Sequence, residues 1–161
     1  GASLLDFSKL FFGVLGDLSF FYDMNVLRNE GIGNNVRILI VNNGRGTEFR
    51  NYSHSAAIMG KAVDPYVAAA GHFGYQSDTT IQRYVISCGF EYMSAYNKSE
   101  YLTKVKYFTT AAHLDKSMVL EVFTDPDCES EALKTISSIL KGGKRNYLNK
   151  VKGVVKKILK K

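Results

Sequence analysis

The sequence predicts an α/β fold, a mostly parallel sheet with helices on both faces, and three observations predict it. Short apolar runs alternate with helical patterns along the whole chain, as in parallel sheets whose strands are joined by helices. Those runs are continuously apolar and partly β-branched, as buried strands are. At 161 residues with 45% hydrophobic content, the chain suits one domain with a real core.

The elements follow in order. Leu10 to Leu15 (LFFGVL) reads as a buried strand that Gly16-Asp17 ends. Ser19 to Asn29 reads as a helix, with Asp17 or Ser19 able to cap its exposed amides. After the loop Gly31-Ile32-Gly33-Asn34, Val36 to Val41 (VRILIV) is a second buried strand, stopped by Asn42-Asn43-Gly44-Arg45-Gly46. The stretch from Thr47 to Asp78 is the least regular, with a short helix expected at Pro65 to Ala70. Beyond it, Thr79 to Ser87 reads as helix, Phe90 to Ala95 as strand, Ser99 to Ala112 as helix, Met118 to Phe123 as strand, and Glu129 to Leu140 as helix. Gly142-Gly143 is the one credible hinge. It divides a domain over residues 1–140 from a basic amphipathic helix over 141–161.

The net charge of +6 belongs to that tail. Residues 138–161 hold nine Lys or Arg and no acid, leaving 12 basic against 15 acidic residues before them. The body is mildly acidic, so nucleic acid is not an expected partner. Leu148, Val151, Val154, Val155, Ile158 and Leu159 fall at helical spacing with lysines opposite. Such a helix could lie on an anionic membrane, but packing on its own enzyme is the preferred reading. No apolar run is long enough to span a bilayer, and the N-terminus lacks the pattern of a signal peptide. The chain begins at Gly1 rather than at a methionine, as a trimmed or processed chain would. Cys88 and Cys128 lie in unrelated contexts, which fits two thiols in a reducing cytoplasm better than a disulfide.

In open parallel sheets, ligands sit beyond the carboxyl ends of the strands. Two such ends carry unusual polar residues here: Gly16-Asp17-Leu18-Ser19 and Asn42-Asn43-Gly44. The first offers a carboxylate at a helix start, where amides and the helix dipole favour an anion. The second offers amide oxygens on a tight turn. Magnesium takes oxygen ligands and shares them with substrate phosphates. Each motif alone reads more simply, Asp17 as a helix cap and Asn42-Asn43 as a turn. Together, with Asp17 and Asn43 26 residues apart at two strand ends, they favour a Mg-diphosphate cradle.

GDLSFFYDMNVL followed by ILIVNNGRG resembles the cofactor signature of thiamine-diphosphate-dependent enzymes, a Gly-Asp-Gly or variant, a spacer, then Asn-Asn. Within that superfamily the chain looks closest to the acetolactate-synthase-like group. The menaquinone-pathway succinyl-enolpyruvyl-cyclohexene-carboxylate synthases share the GDLS form, so Leu18 in place of glycine is a known departure. The likeness extends through CGFEYMSA and VLEVFTD, covering about residues 10 to 140. The core motif is specific, and the rest is supporting pattern.

The resemblance implies roles for particular positions. Asp17 and the Asn43 side chain would coordinate Mg2+, with the backbone carbonyl of Arg45 as third protein ligand. Gly16, Leu18 and Ser19 would bring amides, and the Ser19 hydroxyl, to the diphosphate of thiamine diphosphate. Asn42 would hold the turn. The family's catalytic glutamate comes from another domain, usually of a partner subunit, and the residue that bends the cofactor would fall before Gly1. No catalytic residue is therefore assigned in this chain. It is expected to be a part of a 2-oxoacid decarboxylase or carboligase, incomplete alone and working in a homo-oligomer. The alternative is a non-catalytic binding module that retains the fold.

Other candidates are read more plainly. Glu48, Arg50 or His54 could touch a 2-oxoacid, but an ordinary solvated loop is the preferred reading. His72 reads as a structural turn residue and His113 as a favourable charge near a helix C-terminus. Neither cysteine has a local activator for thiol catalysis. Gly60-Lys61 lacks the upstream glycine and the following Ser or Thr of a phosphate-binding loop.

Overall fold

A computed structural model describes residues 2–50, 54–67, 75–112, 114–133 and 135–139. Four strands form one sheet in the order β1-β2-β4-β3: β1 is Phe11–Gly16, β2 Val36–Asn42, β3 Glu91–Ala95 and β4 Met118–Phe123. Every pairing is parallel. Gly16 lies opposite Val41, and Asn42 opposite Phe123. The carboxyl ends of β1, β2 and β4 therefore finish level with one another.

The helices divide between the two faces for a topological reason. Crossovers between parallel strands are almost always right-handed, so the direction of each step across the sheet selects the face its helix covers. The steps from β1 to β2 and from β2 to β3 run one way. Their helices, α1 (Asp17–Asp23) and α4 (Thr80–Ser87), share a face. There Phe20, Leu27, Ile38, Ile40, Ile81, Val85, Phe90 and Val119 form one buried cluster. The step from β3 back to β4 runs the other way, and α5 (Lys98–Phe108) covers the opposite face. Its Phe108 packs with Met118 and Leu120, and Leu39 and Met93 lie against them. Alternation along β2 sends Ile38 and Ile40 to the first cluster and Leu39 to the second.

Several expectations shift in detail. The helix expected over Ser19 to Asn29 starts at Asp17 and becomes a 3-10 helix over Met24–Arg28. Neither Asp17 nor Ser19 is its cap. Gly16 is the N-cap, and it has no side chain to bond the first amides, so Asp17 sits inside the first turn. The helix expected to reach Ala112 ends at Phe108, and Asn97 caps it by accepting the Glu100 amide at 3.0 Å. The irregular stretch holds α2 (Thr47–Arg50), a 3-10 segment over Ser55–Val63 that kinks at Gly60, and α3 (Asp64–Val67). Helix appears at Asp64–Val67 where one was expected from Pro65, and the rest of that expected helix lies outside the described residues.

The strand expected to be buried at Leu10 to Leu15 is not buried: β1 forms one edge of the sheet, and its Phe12, Val14 and Leu15 are 52%, 68% and 37% exposed. At the amino ends of the strands, Ser117 joins two elements. Its hydroxyl accepts the Val36 amide at 3.0 Å and donates to the Gly33 carbonyl at 2.6 Å. Residues 1–126 form one compact unit and residues 127–161 a second. Of the second, residues 127–133 and 135–139 are helical, and the hinge and basic tail expected after residue 140 lie outside the described residues. Among the described residues, no helix is long and apolar enough to cross a membrane.

Candidate functional site

The two polar motifs meet because β1 and β2 are neighbours in register. Gly16 pairs with Val41, so Asp17 begins α1 beside Asn42, and Asn43 opens the turn one residue further on. Asp17 is only 4% exposed, a charged group kept at the end of an otherwise apolar strand. Gly16 and Ser19 are exposed, while Leu18, Asn43 and Arg45 are half-buried.

The turn after β2 is built by its own two asparagines. The Asn43 side-chain oxygen accepts the Arg45 amide at 2.9 Å, and its amide nitrogen donates to the Thr47 hydroxyl at 2.8 Å. The Arg45 carbonyl accepts the Thr47 amide at 3.0 Å. Each of these two oxygens has a second lone pair. Asn42, 3% exposed, works inward: its side-chain oxygen accepts the Gly44 amide at 3.1 Å. Its amide nitrogen donates to Glu121 Oε1 at 2.6 Å and to the Ser77 carbonyl at 3.3 Å. The Asn42 backbone carbonyl accepts from Gln76 Nε2 at 2.6 Å and from the Thr124 amide at 3.0 Å.

Under the turn lies a carboxyl group that reading the sequence missed. Glu121 in β4 is fully buried, and its Oε2 accepts the Tyr92 hydroxyl at 2.6 Å. Burial pushes the Glu121 carboxyl above the usual range. The Asn42 and Tyr92 hydrogen bonds oppose that shift, and the charges of Asp17 and Asp78 add to it. Burial, with Glu121 next, also pushes the Tyr92 phenol up. A signal was present in the sequence, since Glu121 is a lone charge inside the apolar run MVLEVF.

Chemically, this end of the sheet suits a hard cation. The Asp17 carboxylate, the Asn43 amide oxygen and the Arg45 carbonyl are all oxygen donors, the type magnesium takes. The charges of Asp17 and Asp78 both reach Glu121, and a cation would offset that repulsion. Among the described residues no group of three or more His, Cys, Asp or Glu is arranged for a metal; the Asp17, Asn43 and Arg45 set contains a single carboxylate.

The remaining candidates sort as follows. His54 accepts the Ala56 amide at Nδ1, 3.1 Å, and meets the Phe49 ring edge-on at 5.1 Å, which makes it a local cap. Glu48 is exposed. The Arg50 side chain, His72 and His113 lie outside the described residues. Cys88 and Cys128 remain thiols.

No protein-family model matches the chain. Individual relatives do. It is 37% identical over 128 residues to the 2-succinyl-5-enolpyruvyl-6-hydroxy-3-cyclohexene-1-carboxylate synthase of Phocaeicola vulgatus, covering 79% of this chain and 21% of that protein. The enzyme of the same name from Bacteroides fragilis is 34% identical over 126 residues, covering 78% of this chain and 21% of that protein. A third, from Christiangramia forsetii, is 57% identical over a short stretch of 37 residues, which is 23% of this chain and 6% of that protein. The chain thus spans about a fifth of the length of the first two relatives. With the strand-end motifs on adjacent strands of a parallel sheet, this similarity shows that the chain belongs to the thiamine-diphosphate-dependent enzyme family, alongside the 2-succinyl-5-enolpyruvyl-6-hydroxy-3-cyclohexene-1-carboxylate synthases.

Proposed function

We propose that this chain is the diphosphate- and Mg2+-binding part of a thiamine-diphosphate-dependent enzyme that decarboxylates a 2-oxoacid and passes the resulting carbanion to an acceptor. The observation that carries this reading is a buried carboxylate, Asp17, beside the Asn42-Asn43 turn on the next strand end. Asp17, the Asn43 side chain and the Arg45 carbonyl would hold the cation. Gly16, Leu18 and Ser19 would turn backbone amides, and the Ser19 hydroxyl, to the diphosphate. Bound there, the cofactor supplies the electron sink for carbon–carbon bond cleavage. This chain's residues would hold the cation that offsets the diphosphate charge and, with the backbone amides, fix the diphosphate in position. The name its relatives carry makes synthesis of 2-succinyl-5-enolpyruvyl-6-hydroxy-3-cyclohexene-1-carboxylate the first activity to assay.

The chain is read as incomplete for catalysis alone. It spans about a fifth of its relatives' length, and the glutamate that activates the aminopyrimidine would come from the remainder, on a partner domain or subunit. A homo-oligomer in the cytoplasm fits this reading, the latter because both cysteines remain thiols.

The test is the thermal midpoint with Mg2+ and thiamine diphosphate, with EDTA replacing Mg2+, and in Asp17→Ala. Ligand at about 100 times its Kd adds about 2.7 kcal/mol of stability. The expected rise needs both components and is lost in Asp17→Ala. No rise in any condition, including with the partner part added, would sink the reading.

A further inference from the structure

Glu121 is a buried carboxyl that the proposed function does not use, and its two oxygens are both committed. Oε2 accepts the Tyr92 hydroxyl at 2.6 Å, and Oε1 accepts the Asn42 amide at 2.6 Å. Asn42 stands between this carboxyl and the turn, because its own side-chain oxygen accepts the Gly44 amide at 3.1 Å. An Asn side chain has one carbonyl oxygen and one NH2 group, so fixing the NH2 side fixes where the oxygen points. The continuous path is Tyr92, Glu121, Asn42, Gly44. It runs across three strands, and Glu121 and Asn42 are 0% and 3% exposed, so water does not compete for the bonds.

An apolar residue would fill this place in β4 with less desolvation cost, since its neighbours Val119, Leu120 and Val122 are apolar. A carboxyl there is therefore accounted for by what it holds rather than by packing. We propose that Glu121 is a positioning residue: through Asn42 it locks the turn after β2 so that Asn43 and Arg45 present their oxygens to the cation. The proposal rests on the cofactor reading above for the identity of the cation, but not for the lock itself.

The experiment uses the 161-residue chain and three variants. Glu121→Gln keeps a carbonyl for Asn42 and turns its NH2 to Tyr92, whose hydroxyl can accept as well as donate. Glu121→Met removes the acceptor at similar length. The double variant Glu121→Met/Tyr92→Phe does the same without stranding a buried hydroxyl. The first readout is amide hydrogen exchange without ligand, comparing Gly44 and Arg45 with Ile40 and Leu120 in the core. Loss of protection at Gly44 and Arg45 in both Met variants, with the core amides unchanged and Glu121→Gln like the parent, is expected. Unchanged protection of the turn in a folded Met variant overturns the proposal, because a space-filling residue would give that result. The second readout is Mg2+-dependent thiamine diphosphate affinity by calorimetry. Residues that orient metal ligands are typically worth about 10- to 100-fold in metal affinity, and a loss of that size is expected in the Met variants, with rescue by Gln. Parent-like affinity in both Met variants also overturns it. A parent chain that binds no cofactor would count against the cofactor reading alone, and the exchange data would still decide the lock.

Discussion

At Gly44 the backbone turns with φ 65°, and a Cβ built there would lie 2.6 Å from Cβ of Gln76. Both the left-handed conformation and the close approach demand glycine at this position. Gly44→Ala should cost about 1–3 kcal/mol, the usual penalty of such strain, in urea unfolding. Gln76→Ala should not relieve it, because the obstructing atom is the Cβ that alanine retains. Glu121 supplies a second residue-scale prediction. Its folded-state pKa is raised, so the native protein holds that proton to higher pH than the unfolded chain. The stability it contributes is fully present below the ordinary glutamate range and is lost as pH rises through its raised value. In EDTA, the stability of the parent relative to Glu121→Gln should therefore fall with rising pH across that window. A flat difference would show that Glu121 ionises as it does in the unfolded chain.

The two edges of the sheet differ from its centre in what a strand residue contributes. β2 lies between β1 and β4, and Ile40 is fully buried in the main cluster. Val14, on edge strand β1, is 68% exposed. Ile40→Ala should cost about 2–5 kcal/mol through lost contacts and a cavity. Val14→Thr should stay within about 0.5 kcal/mol, as surface substitutions do. Urea unfolding of the two variants checks both. The same strand carries Arg37, a buried charge near its start. Its Nη1 donates to the Asn34 and Val36 carbonyls at 2.9 and 3.1 Å, and burial pushes the guanidinium pKa down, against the charges of Glu91 and Tyr107. In sequence Arg37 reads simply as one polar residue in VRILIV.

For the molecule as a whole, the proposed site brings one carboxylate to a sheet in a chain about a fifth of its relatives' length. If the aminopyrimidine is activated from outside this chain, the isolated chain should bind Mg2+ and thiamine diphosphate without decarboxylating 2-oxoacids. Adding the partner part should restore turnover, measured as CO2 release, and Asp17→Ala should abolish the restored activity. Turnover by the isolated chain would contradict the reading that it is incomplete.

Much of the architecture was legible in the sequence. Apolar strands and amphipathic helices carry their periods locally, so the four strands of the sheet were found to within a residue or so and alternation implied a parallel sheet. The burial expected of β1 was not met, because a local apolar run does not say which strand becomes an edge. That Asp17 and Asn42-Asn43 stand at neighbouring strand ends was legible in part, because each follows an apolar run that reads as a strand. Helix ends were less so: Gly16 rather than Asp17 is the N-cap, since the cap depends on where the preceding strand releases the backbone. Strand order, and with it the neighbours of Glu121, could be decided only by the tertiary structure. Tyr92 and Asn42 lie 29 and 79 residues from Glu121 in sequence, and no local period encodes a contact made across strands. A buried carboxyl in an apolar run is visible as a letter; what it holds depends on which strands flank it.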